Sequence, residues 1–395
     1  MCDTRKLKIL QVHNYYQIPG GEDTVVANEK KLLEDNGHTV IQYSRNNSEL
    51  KQFSKLQKLL LPFTTIFNPK TYREVKEIIQ EQHVDVVHVH NTLNLISPAV
   101  YYAALSCKVP VVQTIHNFRL LCPGATFYRD GHICEDCVQK GLLCAVKHGC
   151  YRGSKVQTLI CVVSTWIHRM MGVYGKLNYI CLTEFNKEKL LSLKQIKPEK
   201  VFIKPNFVPE SSEITIPMQE RENQFIFAGR IDKLKGVDIL LETWKLMGKE
   251  APKLLICGTG PMEDWCKNYI QKNNLTNVEM LGFVPNKEAK KLIANSKALV
   301  LPTRWYEGFP MTIVEAYSAG TPVVCTDIGN TGSVVKYSIT GVKFRDGSLE
   351  SLKEAISDLK SCPDIYRTTL NEFEENYSEA SNYICLDAIY RKVLR

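Results

Sequence analysis

Short apolar runs recur along the chain, separated by stretches whose apolar residues fall at helical spacing. KILQVHN, HTVIQYS, DVVHVHN, VPVVQTI, NYICLTE and KVFIKPN, starting at Lys8, His38, Asp85, Val109, Asn178 and Lys200, predict strands. Between several of them lie helical patterns. TVVANEKKLLEDNG, from Thr24, ends at Gly37, a helix stop, and NPKTYREVKEIIQEQH, from Asn68, runs up to DVVHVHN. Near Pro205 the pattern breaks. NFVPESSEITIPMQERENQ, from Asn206, is polar, carries Pro209 and Pro217, and reads as a linker. A second alternating series follows: QFIFAGR, KLLICGTG, VEMLGFV, KALVLPT, TPVVCTD and TGVKF. Strands alternating with helices predict an α/β fold of two Rossmann-like doubly wound domains facing each other across a cleft. The boundaries expected are 1–206, 207–363 and a helical, aromatic-rich tail at 364–395, whose partner domain the pattern does not name.

A chain of 395 residues has room for two such cores, and 44% hydrophobic with 23% charged residues is ordinary for a globular protein. No apolar stretch reaches the length of a membrane span and no signal peptide opens the sequence, so a cytoplasmic protein is expected. The net charge of +8 suits an anionic ligand or an anionic membrane face. A nucleic-acid partner is not expected, because no helix-turn-helix, finger or aromatic-basic signature is present. Fourteen cysteines in a reducing compartment read as thiols or metal ligands rather than disulfides.

The chemistry gathers in RWYEGFPMTIVEAYSAGTPVV, from Arg304. Pro310 suits a first helical turn, Gly320 a helix end, and the segment reads strand, loop, helix, strand. Glu307 then sits in the loop at a strand's carboxyl end, and Glu315 on the helix within about two turns of its positive end. Ligands of open α/β sheets bind at that edge, where two acids could hold a polyhydroxylated ligand. In FAGRIDKLKGVDILLETW, from Phe227, Arg230 and Lys235 flank a helix start, which suits a diphosphate or, read plainly, a solvated basic loop. CGTGPMEDW, from Cys257, adds a glycine-rich turn, weak evidence alone. In the first half, Gly20-Gly21 follows the first strand and allows close backbone approach before a helix begun by Glu22 or Asp23.

Taken together, GR-x4-KG, GTGP, LGFVP and EGFPMTIVEA, in that order, resemble family 4 of the retaining glycosyltransferases over essentially the whole chain, with E-x7-E as the most specific mark. The flanking runs are most similar to enzymes of bacterial capsule, O-antigen and exopolysaccharide assembly. The resemblance implies the GT-B architecture and assigns roles. Glu307 contacts hydroxyls of the donor sugar, and Glu315 the nucleotide ribose. Arg230 and Lys235 neutralise the diphosphate leaving group, in place of a catalytic metal. Gly229, Gly258 and Gly260 line the donor, with Phe283 and Val284 beside the base. The run Gly308-Phe309-Pro310-Met311-Thr312 surrounds sugar and phosphate, the amides of Gly308, Phe309, Met311 and Thr312 donating. Gly20 and Gly21 lie by the diphosphate and acceptor, and His116 faces the reacting sugar. His90 and Asn91 are weaker acceptor-side candidates. Singly, each of these residues could be a structural hydrogen-bonding group.

The segment 122–150 is an insertion rich in cysteine. Cys134-x-x-Cys137 has the spacing of a zinc knuckle, and a metal staple would help a core-poor segment fold. Reduced thiols are the plain alternative. Resemblance to related transferases favours Cys122, Cys134, Cys137 and Cys150 as the set, with Cys144 spare, for a structural zinc. SKLQKLLLPFTTIF, from Ser54, mixes lysines with leucines and aromatics. A helix packed on the first domain is the expectation; peripheral contact with the inner face of the cell membrane is the alternative. The resulting reading is a nucleotide-sugar-dependent transferase acting on a polyprenyl-diphosphate-linked glycan. A nucleotide-sugar epimerase and a non-catalytic nucleotide-sugar-binding protein are the other readings.

Overall fold

The computed structural model describes residues 5–17, 20–209 and 216–395. Part of the expected linker, 210–215, lies outside them. Two parallel sheets of six strands each organise the chain. The first is built from β1 (Lys8–Tyr15), β2 (Thr39–Asn46), β3 (Val86–Asn91), β4 (Val111–Ile115), β5 (Asn178–Cys181) and β6 (Val201–Ile203), in the order β2-β1-β3-β4-β5-β6. The second holds β7 (Glu222–Ala228), β8 (Lys253–Cys257), β9 (Val278–Gly282), β10 (Ser296–Leu301), β11 (Val323–Thr326) and β12 (Gly341–Phe344), in the order β9-β8-β7-β10-β11-β12. Every one of these strands falls on a run that the apolar pattern marked. The strand order reverses between β1 and β3 in the first sheet and between β7 and β10 in the second.

Both faces of each sheet are covered, which is why the strands read as nearly continuous apolar runs. In the second sheet, Phe225, Phe227, Leu254, Ile256 and Val300 face one core, while the alternate residues Ile226, Ala228, Leu255, Leu299 and Leu301 face the other. The period of two along each strand divides the two layers. Local chemistry sets the helix ends. The helix α1 (Gly21–Asp35) starts one or two residues ahead of the expected start, and Asp23 accepts from the Gly20 N–H at 3.0 Å to close its first turn. The others that bear on function are α2 (Lys55–Ile66), α3 (Pro69–Gln82), α4 (Lys155–Met170), α5 (Met311–Ser318), α6 (Ile365–Asn376) and α7 (Glu379–Val393). Asn68 caps α3 by accepting from Lys70 and Thr71, ahead of Pro69 at the first helical position.

The chain divides into two compact units. One contains the residues up to Arg129, Cys134–Pro205 and Asn382–Arg395; the other contains Asn206–Ser381 and Asp130–Ile133. The tail expected as one piece at 364–395 is therefore split. Helix α6 stays with the second unit. From Asn382 onward α7 belongs to the first, where Leu386, Ile389 and Tyr390 pack on Leu7, Ile9, Val86 and Val112. Helix α2 packs on α4 within the first unit, but it fully buries only Thr65 and leaves Leu56, Leu59, Leu60 and Phe63 exposed.

Two glycines fix the loops above the second sheet. Gly236 has φ +71°, and a Cβ there would lie 1.8 Å from the Pro302 carbonyl oxygen; at Gly258, φ +135°, it would lie 1.9 Å from that of Gly229. Each allows one strand-end loop to cross another at backbone contact. Gly258→Ala combines a forbidden φ with a backbone collision. It should cost about 2–4 kcal/mol, the range of severe backbone and packing lesions, seen as a lowered Tm; an unchanged Tm would contradict this crossing.

Candidate functional site

In the second unit the site sits at the carboxyl ends of β7 and β10, where the strand order reverses and a crevice opens. After β7, Gly229 donates to the Cys257 carbonyl at 3.0 Å and Ile231 to that of Thr259 at 3.0 Å, so the loops after β7 and β8 are knitted together. Asp232 accepts from the Lys235 amide at 3.0 Å and holds a single 3-10 turn in place. The loop after β10 is tied to this turn: the Arg304 N–H donates to the Leu234 carbonyl at 2.9 Å. Lys235 and Glu307 are thereby brought together. The lysine Nζ donates to both carboxylate oxygens, at 2.7 and 2.8 Å. The Glu307 side chain is 8% exposed and that of Lys235 24%, so the pair is held in one geometry while the ammonium keeps a face toward solvent. Asn330 fixes the backbone beneath by donating to the carbonyls of Glu307 and Gly308.

Beside this pair an open cavity of about 720 Å³ is lined by Gly229, Arg230, Gly258, Gly260, Phe283, Val284, Thr312 and Glu315. All eight were expected from the sequence, and its size is that of a nucleotide-scale ligand. Arg230 is 69% exposed, tethered to Asp232 at 3.2 Å. Phe283 presents an exposed ring. Asn286 donates to Glu315 Oε1 at 2.9 Å and orients that carboxylate. Pro310 caps α5, so the free N–H groups of its first turn begin at Met311 and Thr312. The side chains of Phe309 and Met311 pack on the core, leaving only their backbone for a ligand. Gly308, Phe309, Pro310 and Met311 border the site without lining this cavity. Asp232, Asn286 and Asn330 were missed: Asn286 and Asn330 act through partners distant in sequence, and Asp232 is a local cap of the turn between Arg230 and Lys235.

In the first unit, His116 follows β4 and lines a smaller cavity, about 90 Å³, with His90, Asn91, Asn117 and Arg119. Gly20 and Gly21 are not among its lining residues. Gly20 has extended backbone, and a Cβ there would meet nothing. Behind His116 runs a buried polar row. Glu29 of α1 and Lys204, just beyond β6, are both fully buried and pair at 2.7 Å. Burial pushes the Glu29 carboxyl up, but the Lys204 ammonium and then His88 bring it below its usual range. His90 Nε2 faces Glu29 Oε2 at 3.5 Å, and His90 Nδ1 lies 3.0 Å from His116 Nε2. Burial lowers all these imidazoles, His88 to about 4 and His116 to about 3, so they are neutral near pH 7. Of the two facing nitrogens, His90 Nδ1 and His116 Nε2, one donates and the other accepts, as neutral imidazoles allow. Glu29, His88 and His90 offer atoms within 4.8 Å of one another, close enough for a cation; the positive charge there is Lys204's. The signal for Glu29 was in the sequence: it falls on the apolar stripe of α1, with Val25, Val26, Leu32 and Leu33.

The cysteines divide. The Cys137 thiol hydrogen-bonds Cys122 and lowers it against burial, helped by the amides of Phe127, Gly124 and Thr126. Cys150 lies across Gly124 from Cys122. Cys134 instead hydrogen-bonds the Asp136 carboxylate.

Residues 212–380 match the family described as Glycosyl transferases group 1, and residues 19–133 match Glycosyltransferase Family 4. The chain is 24% identical over 275 residues to the uncharacterized glycosyltransferase MJ1607 of Methanocaldococcus jannaschii, covering 65% of this chain and 61%, less than two thirds, of that protein. It is 25% identical over 323 residues to a 42.6 kDa protein in the cps region of Klebsiella pneumoniae, covering 78% and 77%. Among solved structures, Anabaena HepE in complex with UDP and glucose superposes with a TM-score of 0.62 at 16% identity, covering 98% of this chain and all of that one.

The neutral histidines set a pH dependence. Unfolded histidine titrates near pH 6.5, whereas folded His88 and His116 resist protonation until about pH 4 and 3. Stability is therefore full above pH 6.5 and falls as pH drops below it, because the unfolded chain binds more protons. Tm should decline from pH 7 to pH 5, and His88→Gln should flatten that decline; equal slopes would contradict the buried neutral state.

Proposed function

The chain belongs to the family 4 glycosyltransferases of GT-B fold, and on that premise we propose that it is a retaining hexosyltransferase. It would move a sugar from a nucleotide-sugar donor to a lipid-linked glycan, of the polyprenyl-diphosphate kind, in surface polysaccharide assembly. The observation that carries this reading is the Lys235–Glu307 pair at the switch point, set beside a cavity that Arg230 and Glu315 line. The cps-region relative supports the polysaccharide context, and the UDP and glucose bound by HepE support the donor class.

Each group has a task in this reaction. Glu315, oriented by Asn286, accepts from the ribose hydroxyls, and Phe283 offers its ring to the base. Glu307 accepts from the sugar hydroxyls. Arg230 and the free face of Lys235, with the first amides of α5, stabilise charge on the departing diphosphate. The acceptor oxygen attacks the anomeric carbon on the face from which the diphosphate leaves. The carbon–oxygen bond to the phosphate breaks, and the acceptor proton passes to the leaving phosphate oxygen. No protein nucleophile is required. His116 offers its neutral imidazole to a sugar hydroxyl.

Cys122, Cys137 and Cys150, with Cys134 completing the set, form the proposed structural zinc site. Cys137 already hydrogen-bonds Cys122, with Cys150 close enough to act on Cys137; Cys134 would exchange Asp136 for the metal. Zinc would hold the insertion closed and take no part in the transfer.

Release of nucleotide from a panel of UDP-, GDP-, ADP- and dTDP-sugars, with bacterial membranes as acceptor source, tests the function. One donor should be consumed and its sugar recovered in lipid. Conversion of the free donor to another sugar would identify an epimerase instead. Glu307→Ala should lower turnover by about 100-fold or more, the scale of losing one transition-state contact, with nucleotide binding mostly kept; unchanged turnover would remove its role. Arg230→Ala should weaken UDP binding by roughly tenfold, the worth of a charge-assisted hydrogen bond. Metal analysis of the purified protein should find about one zinc per chain, by the four-thiolate stoichiometry, lost in Cys137→Ser. Metal-free protein would leave the cysteines as thiols.

A further inference from the structure

We propose that the outward faces of α2 and α4 form one surface that docks the first unit on an anionic lipid bilayer. The inference rests on the reading of a lipid-linked acceptor for its purpose, but its evidence is separate. On α2, Leu56, Leu59, Leu60 and Phe63 follow the i, i+3, i+4, i+7 spacing that normally faces a core. Here that stripe faces out, with Leu59 70% and Phe63 68% exposed. On α4, Val156, Leu159, Trp166 and Met170 repeat the pattern, with Val156 and Met170 70% and Trp166 56% exposed. The two helices pack on one another. His168 locks their junction: its Nε2 lies 2.9 Å from the Ile66 carbonyl at the end of α2, and its Nδ1 2.9 Å from the Tyr102 hydroxyl. Two outward stripes on a fixed helix pair make a continuous apolar face, larger than scattered surface leucines explain.

Charge selects the occupant. Residues 50–73, around α2, contain no acid and five Lys or Arg: Lys51, Lys55, Lys58, Lys70 and Arg73. Residues 137–183, around α4, contain no acid and six. An apolar face on segments that carry cations and no acid of their own, with Lys55 and Lys58 on α2 and Lys155 at the start of α4, matches the interface of a bilayer with negative headgroups, where leucine and tryptophan enter the acyl boundary and lysine stays at the phosphates. It repels a second copy of itself, which would bring cation against cation. No helix of the described residues is long and apolar enough to cross the membrane, so the contact lies in the interface plane.

Sedimentation of the whole chain with vesicles tests this. The wild type should bind vesicles of phosphatidylglycerol and phosphatidylethanolamine at least about tenfold better than phosphatidylcholine vesicles, and lose most binding at about 0.5 M salt, where screening shortens to a few Å. Leu59→Glu with Phe63→Glu, and separately Trp166→Glu with Met170→Glu, should each reduce binding about tenfold or more. The changed side chains are exposed, so circular dichroism and Tm should match the wild type. Variants that sediment like the wild type, or a wild type that ignores anionic vesicles, overturn the proposal. So does a wild-type dimer in light scattering that Leu59→Glu dissociates, which would make the face a self-interface. Nucleotide release from the donor, measured alongside, separates the two claims. Donor turnover without vesicle binding removes only this surface. Vesicle binding without use of any donor removes only the transferase reading.

Discussion

The buried Glu29–Lys204 pair is the constraint around which the first unit is arranged. Both side chains are fully removed from solvent, and each would be untenable without the other. Glu29 comes from the first helix and Lys204 from the exit of the last strand. Asn382, at the point where α7 joins this unit, accepts from Lys204 at 2.7 Å and donates to the Pro205 carbonyl at 2.8 Å. The pair therefore ties together the two ends of the sheet's connectivity and the returning tail. It adds little net stability for its cost in desolvation; what it contributes is a single arrangement. The neutral row His88, His90 and His116 hangs from its negative end, with Tyr390 and Thr114 holding His88 at 2.7 Å each.

The second unit uses a charge pair differently. Lys235 and Glu307 lie near the surface of a crevice, and the ammonium is partly solvated. Their positions follow from loops that cross at glycine contacts and from the reversal of strand order between β7 and β10. The scaffold carries the precision; the side chains are short extensions of it. Arg230, by contrast, is largely exposed on its loop and held by Asp232, as suits a group that follows a charge developing on a departing diphosphate.

The helix pair of the first unit shows where pattern and burial part company. The spacing of Leu56, Leu59, Leu60 and Phe63 is that of a core-facing helix, and periodicity alone cannot say which way a stripe points. An apolar stripe requires only that it leave water. A bilayer satisfies that as well as a protein core does, and the lack of acids over both segments was visible in the sequence from the start.

Much was legible because it is local. Twelve strands on apolar runs, two alternating series broken near Pro205, and the E-x7-E segment with its Arg230 and Lys235 neighbours all depend on residues close in sequence, where backbone geometry and periodicity act directly. Eight of the donor-side residues expected from motifs line one cavity. Tertiary structure alone decided the rest. It paired Lys235 with Glu307 across 72 positions, divided the tail between two units, and put Asn286 against Glu315. These are pairings between distant segments. Each segment's own composition is compatible with many partners, and only the packed chain, by burying one set of charges and solvating another, selects among them.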